Sequence, residues 1–301
     1  MRPLTAFSVL LTLSWFALFP GCGQRAGQHS QTTLERINRE GVVRVGYANE
    51  APYAYLDSQA DSLTGEAPEI ARVVLGRMGV KRIEGVLTEF GALIPGLKAG
   101  RFDLIAAGMY ITPERCAEVS FSNPTYGIGE ALVVRAGNPL GLHSYEDVAR
   151  QPKVRLGVVG GTAERGYARA LGITDKRLTV YPDAPSALAG VEAGRVDAYT
   201  GTSLTVQDLL DKARNPALER VKPFADPIIN GKPVRGYGAF GFRREDRALL
   251  KTFNQHLAAF IGTPAHLELV RPFGFTETEL PGSITAEALC ARPLLPDKGP
   301  D

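Results

Sequence analysis

The sequence predicts an α/β fold of two lobes with like architecture, one inserted into the other and joined by a hinge of two crossing segments. Three observations predict it. Short β-branched runs alternate with amphipathic helical stretches, which implies mainly parallel sheets covered on both faces. Two motifs recur in the same order: Lys153-Val154-Arg155-Leu156-Gly157 echoes Val42-Val43-Arg44-Val45-Gly46, and Val191-Glu192-Ala193-Gly194-Arg195-Val196-Asp197 echoes Leu97-Lys98-Ala99-Gly100-Arg101-Phe102-Asp103. A late strand and further amphipathic helices have no counterpart inside the second copy, so the chain returns to complete the first lobe.

The 301 residues are 44% hydrophobic and 22% charged, enough to bury a core in each of two domains. They begin with a segment that reads as an address. Arg2 supplies a positive start, Leu4 to Phe19 form an apolar stretch too short to span a membrane comfortably, and Phe19-Pro20-Gly21-Cys22 ends it. A small residue before a cysteine in that place is similar to the lipobox of bacterial lipoproteins, with Cys22 as the lipidated residue and the membrane reached only through that anchor. The alternative is a secretory signal cut near Gly23 to Ala26. Either places the mature chain outside the cytoplasm.

Thr32-Thr33-Leu34-Glu35 has capping-box form, so a helix starts there and stops at Gly41. Val42 to Gly46 is a strand. Pro68 opens a helix with Ile70, Val73, Val74 and Met78 on one face and Gly79 at its end. A second helix carries Leu93, Ile94 and Leu97 and leads into a strand at Leu104 to Ala107. Leu132 to Arg135 is a strand stopped by Gly137-Asn138-Pro139, and Tyr237 to Phe242 is another. The helical run with Leu249, Leu250, Phe253, Leu257 and Phe260 follows. The resulting boundaries are 1–21 signal peptide, 22–33 tether, 34–136 first part of lobe 1, 137–236 lobe 2, 237–285 return to lobe 1 and 286–301 C-terminal tail.

With Cys22 set apart, Cys116 and Cys290 remain, and an oxidising compartment permits either one disulfide or two separate buried thiols. His143, His256 and His266 are isolated, so no metal or other cofactor is expected. The 34 basic and 32 acidic residues are scattered and nearly balanced, which predicts no nucleic-acid partner.

V-x-V-G-Y-A-N-E-A-P-Y from Val43, L-x-G-E-A-P-E from Leu63, L-I-P-G-L-K-A-G-R-F-D from Leu93, A-A-G-M-Y-I-T-P-E-R from Ala106 and F-S-x-P-T-Y-G from Phe121 then carry a resemblance. Together they resemble the extracytoplasmic solute-binding proteins of ABC importers in the polar amino-acid group, over roughly Leu34 to Phe275. Asn49 to Tyr53, Gly65 to Glu69 and Ala107 to Tyr110 look like the ectoine/hydroxyectoine-binding subgroup. The resemblance implies the two-lobe periplasmic-binding-protein fold (type II) and a periplasmic or membrane-anchored monomer that serves permease subunits.

It also implies site residues. The arginine after T-P-E, here Arg115, binds a ligand carboxylate through its planar fork. Gly160-Gly161-Thr162 answers from lobe 2, with Thr162 as a ligand donor, an N-cap, or both. Amino-acid binders of this group usually place an aspartate a few residues after the G-R-x-D-A strand motif, near the position of Thr202, so an α-ammonium would lose its partner, and Glu50 offers a carboxylate in lobe 1. Tyr53, Phe90 and Tyr110 occupy cleft-facing motif positions and would form a cage whose rings, rather than hydroxyls, hold a diffuse cation. Asp103 and Asp197 are read as turn residues outside the site. The leading expectation is a non-catalytic binder of the small zwitterion ectoine or hydroxyectoine. The alternatives are another zwitterion (a betaine, a proline derivative or a polar amino acid), or an enzyme like cyclohexadienyl dehydratase with Glu50 as its acid or base.

Overall fold

The computed structural model describes residues 31–291. The signal stretch, Cys22 and the tether up to residue 30 lie outside the described residues, as does the tail from residue 292. No helix among the described residues is long and apolar enough to cross a membrane.

Local chemistry sets the first element. Thr32 accepts from the Glu35 amide at 3.2 Å, and the Glu35 carboxylate accepts from the Thr32 amide at 2.9 Å, capping the helix Thr33–Glu40. Gly41, left-handed, ends it and feeds the strand Val42–Tyr47. The next helix, Glu66–Arg77, opens two residues before Pro68. Its first amides are satisfied by the carbonyls of Pro52 and Tyr53, both at 3.0 Å, a tertiary cap that no local motif announces. Pro68 still falls in the first turn, where its missing N–H costs nothing.

The first sheet runs in the order Arg82–Leu87, Val42–Tyr47, Leu104–Tyr110, Gly236–Phe242, Ser120–Phe121, with Tyr126–Ile128 also pairing Gly236–Phe242. Along Leu104–Tyr110 the side chains alternate between two apolar layers. Leu104 and Ala106 join the helices 66–77 and 247–258, and Ile105, Ala107 and Met109 join Leu93, Leu97 and Leu289. Leu249, Phe253 and Leu257 of the late helix Arg247–Ala258 are buried there, each worth ~1.5–3 kcal/mol. The second sheet runs Leu178–Tyr181, Leu156–Val159, Ala198–Thr202, Glu130–Arg135, Leu218–Arg220.

The expectation of mainly parallel sheets holds only for the strands that helices connect within each lobe. Val42–Tyr47 pairs parallel with both neighbours, and so does Leu156–Val159. Strands next to the crossings pair antiparallel, because a strand that carries the chain from one lobe to the other enters in the opposite sense. One of them also moves the boundary. The strand Glu130–Arg135, placed by the sequence in the first part of lobe 1 that ran to residue 136, pairs with Ala198–Thr202 and Leu218–Arg220 of lobe 2. The crossing therefore lies near Gly129. Ala131 to Val134 are buried, and a fully apolar run does not say which sheet buries it.

The repeated motif has a physical counterpart. Asp103 accepts from the Arg44 amide at 2.9 Å and Asp197 from the Arg155 amide at 2.7 Å, while each aspartate's own amide donates back to the carbonyl of the same arginine. The aspartate of each G-R-x-D turn thus ties the turn to the start of the neighbouring strand. In lobe 1, burial would raise the Asp103 pKa, but hydrogen bonds from Arg44 and Arg36 outweigh it and hold the group below its usual value.

Residues 286–290, assigned to a tail, form a short helix, and Leu289 is buried in lobe 1. It is joined to the rest of lobe 1 by the disulfide Cys116–Cys290 as well, which spans 174 residues of sequence with a Cα separation of 5.7 Å. Of the two possibilities the sequence left open for these cysteines, the structure takes the disulfide.

Candidate functional site

The site lies on the seam between the lobes, which are closed on one another. Lobe 1 contributes Glu50 from the turn after its first strand, Tyr53 three residues on, Phe90 at a 3-10 turn, Tyr110 at a strand end and Arg115 from the helix Pro113–Glu118. Lobe 2 contributes Gly161 and Thr162 after the strand Leu156–Val159, and Thr202 where a strand gives way to the helix Ser203–Ala213. Closure brings Gly161 against Gly91. With φ of +80° and a position 2.5 Å from the Gly91 Cα for any added Cβ, residue 161 must be glycine for the lobes to meet this way.

Four hydroxyl and carboxyl groups form a chain that crosses the seam twice. The Tyr53 hydroxyl donates to Thr202 Oγ1 at 2.8 Å, Thr202 Oγ1 donates to Thr205 Oγ1 at 3.1 Å, and Thr205 Oγ1 donates to Glu50 Oε1 at 3.0 Å. Thr202 is at the same time the N-cap of its helix, accepting from the Thr205 amide. A hydroxyl engaged in this way supplies no negative charge to the seam.

Tyr53 does not stand free in the cleft. Its ring is buried between Tyr126, with centroids 5.1 Å apart, and Phe275, at 5.7 Å. Gly108, with φ of +63°, makes the room, since a Cβ there would come within 2.6 Å of the Tyr53 ring. Phe90 is also engaged, with the Arg115 guanidinium 5.4 Å from its ring centroid. Tyr110 packs over Gly236 and makes a long bond of 3.4 Å from its hydroxyl to Glu130 Oε1. The three aromatics expected to form one cage thus divide between the aromatic core, Arg115 and the seam, and the hydroxyls expected to be idle are bonded.

Arg115 spends its fork on backbone carbonyls. One guanidinium nitrogen donates to Tyr110 O at 2.7 Å within lobe 1, and the other to Gly161 O at 2.8 Å across the seam. Thr162 donates to Val159 O at 2.9 Å. It is not an N-cap: that position falls to Ala163, because the Thr162 hydroxyl turns back to close its own tight turn.

The sequence reading missed the carboxyl groups that face this assembly from lobe 2. Glu130 and Glu164 are 4% and 5% exposed, and after burial the Glu164 charge is the next cause that raises the Glu130 pKa. Burial pushes both pKa values up. Burial, followed by the Glu164 charge, likewise raises Glu50 to about 7, while the Thr205 hydroxyl and the Arg115 charge pull it back. Glu130 did carry a signal, as an acidic residue directly before the apolar run Ala131 to Val134. Glu164 and Thr205 carried none, since both sit in the first turn of a helix where polar residues are ordinary. The cleft as a whole sets three carboxyl groups against one guanidinium, an arrangement suited to a ligand that brings its own cation. Among the described residues no group of three or more histidine, cysteine or acidic side chains is placed to hold a metal ion.

Two α/β lobes, a double crossing and a polar seam lined by an arginine after T-P-E define a solute-binding protein. Residues 43–273 match the family of bacterial extracellular solute-binding proteins, family 3, and the chain belongs to it. It is 39% identical over 256 residues, covering 84% of this chain and 82% of the relative, to a probable amino-acid ABC transporter periplasmic-binding protein of Sinorhizobium fredii. Among solved structures it is similar to EhuB in complex with hydroxyectoine, at 36% identity and a TM-score of 0.78, over 86% of this chain and 98% of that one. It is also similar to the ancestral amino acid-binding protein AncCDT-1, a precursor of cyclohexadienyl dehydratase, at 26% identity and a TM-score of 0.69, over 80% and 99% of the two chains. The protein is thus an ABC-transporter solute-binding protein, of a family that implies a periplasmic location, a small ligand and permease subunits as partners.

Proposed function

We propose that this protein captures ectoine or hydroxyectoine outside the cytoplasm, anchored through Cys22, and delivers it to an importer as the closed form, without catalysis. The observation that carries the reading is the state of Thr202. Its hydroxyl caps a helix and bonds Tyr53, so lobe 2 offers an α-ammonium no carboxylate there. The acidic groups lie elsewhere, at Glu50 and at the Glu130–Glu164 pair. In this reading the carboxylate of the ligand takes the Arg115 fork in place of the carbonyls it now holds, with Thr162 adding a donor from lobe 2. The delocalised cation lies toward Glu50, Phe90 and Tyr110. A cyclic amidinium is weakly hydrated, so aromatic faces and a half-buried carboxyl group compensate its desolvation better than they would that of a primary ammonium. The similarity to the hydroxyectoine complex supports the same ligand.

A polar amino acid is the second reading, favoured by the name of the Sinorhizobium relative. One titration separates the two. Calorimetry of the purified chain against ectoine, hydroxyectoine, glycine betaine, proline and polar amino acids should show ectoine or hydroxyectoine binding at least roughly tenfold tighter than any standard amino acid, about 1.4 kcal/mol. Tighter binding of glutamine, arginine or histidine would sink the ectoine reading and leave the importer role standing.

A further inference from the structure

The helix Pro113–Glu118 carries Arg115 and has six residues, none of them buried. A helix so short does not hold itself, and this one has little apolar surface inside the lobe to hold it. Its first turn is capped by Thr112, which accepts from the Arg115 amide at 3.3 Å, and the Ala117 carbonyl accepts from Arg244 at 3.0 Å. The Lys98–Glu118 ion pair is exposed on both sides and contributes little.

Apart from the contacts of the Arg115 side chain itself, with Tyr110 O, Gly161 O and the Phe90 ring, the remaining attachment is covalent. Cys116, next to Arg115, is bonded to Cys290 in the helix Ala286–Cys290. That second helix is well seated: Leu289 is 2% exposed, Thr285 caps the N-terminus, and the Ala286 amide donates to Asn123 Oδ1 at 3.2 Å. The Asn123 amide in turn donates to Asn254 Oδ1, at 2.9 Å, on the long helix Arg247–Ala258.

We infer that the C-terminal helix is a brace, acting through the Cys116–Cys290 disulfide, that holds the backbone of Arg115 where its guanidinium can meet the ligand. Cys116, Cys290 and Leu289 are positioning residues that touch no ligand. The inference rests on the reading of Arg115 as the carboxylate anchor. Its physical basis is that a two-pronged hydrogen bond tolerates only small displacements of the fork, so looseness in the helix costs affinity without any change in the groups that bind.

The test is a cycle of wild type, Cys116→Ala/Cys290→Ala, Arg115→Ala and the triple variant, titrated with ectoine or with whichever zwitterion of the panel above binds wild type. Removing the disulfide should weaken binding roughly fivefold to twentyfold in the presence of Arg115 and less than about twofold in its absence. Equal losses in both backgrounds, or no loss in the first, overturn the brace, because a general loosening of the lobe would not depend on Arg115. A second readout needs no ligand. Amide hydrogen exchange over residues 114–119 should quicken at least about tenfold without the disulfide, while the strand Val42–Tyr47 stays protected. Unchanged exchange there also overturns it. If the alanine variant does not fold, mild reduction of the native protein gives the same two readouts. Normal binding by Arg115→Ala would remove the carboxylate-anchor reading instead, leaving hydrogen exchange to judge whether the helix is braced.

Discussion

Glu50 concentrates the chemistry of the seam in one side chain. Burial raises it to about 7, and the Glu164 charge adds to the rise. A raised carboxyl pKa means that the folded state holds a proton the unfolded state gives up above about 4.5, so this group's contribution to stability falls as pH climbs from there toward 7 and beyond. A ligand cation reverses the preference, since it favours the ionised form. Affinity for a zwitterion should therefore be about tenfold weaker at pH 6 than at pH 8, because only the ionised fraction binds. Calorimetry at the two values, repeated on Glu50→Gln, checks this: the variant should bind weakly and without the pH dependence. Tyr53 makes a second case at this scale. Its hydroxyl opens the chain through Thr202 and Thr205 to Glu50, so Tyr53→Phe should cost ~0.5–1.5 kcal/mol of ligand binding, whereas Tyr110→Phe, losing only a bond of 3.4 Å, should cost less. Equal, negligible effects would return the argument to the rings alone.

Helices and strands were readable where their signals were local. The capping box at Thr32 and the stop at Gly41 bound a helix in the sequence and in the structure alike. Thr32→Ala should lower stability by ~1 kcal/mol, seen as a reduced melting temperature, and leave ligand affinity unchanged because the helix lies apart from the seam. The helix Glu66–Arg77 was readable in its apolar face and misplaced at its start, since the carbonyls that cap it come from the loop at Pro52 and Tyr53. The helix Ala286–Cys290 was not readable at all. One buried leucine and one cysteine make no periodic pattern, and the burial of Leu289, the Asn123 contact and the disulfide are all tertiary.

For the whole molecule, the proposed function makes closure the functional event. Arg115 to Gly161, Tyr53 to Thr202 and Thr205 to Glu50 are bonds between lobes, so a ligand among them is bound more strongly by the closed form than by an open one. Solution scattering should show a smaller radius of gyration with saturating ligand, and Thr162→Ala should reduce that change. The same radius with and without ligand would mean that capture does not proceed by closure. The amino-acid sequence by itself determined the alternation of strands and helices, the repeat, the family, and Glu50, Arg115 and Thr202 as residues of one seam, because each is written in contiguous motifs of a few residues. Only the tertiary structure decided that Glu130–Arg135 belongs to lobe 2, that Tyr53 and Phe90 are engaged by the protein itself, that Cys116 meets Cys290, and that Glu130 and Glu164 are buried near enough for the charge of one to act on the other. These are pairings between distant segments, and their energies depend on burial and on the approach of charges, which spacing along the chain does not encode.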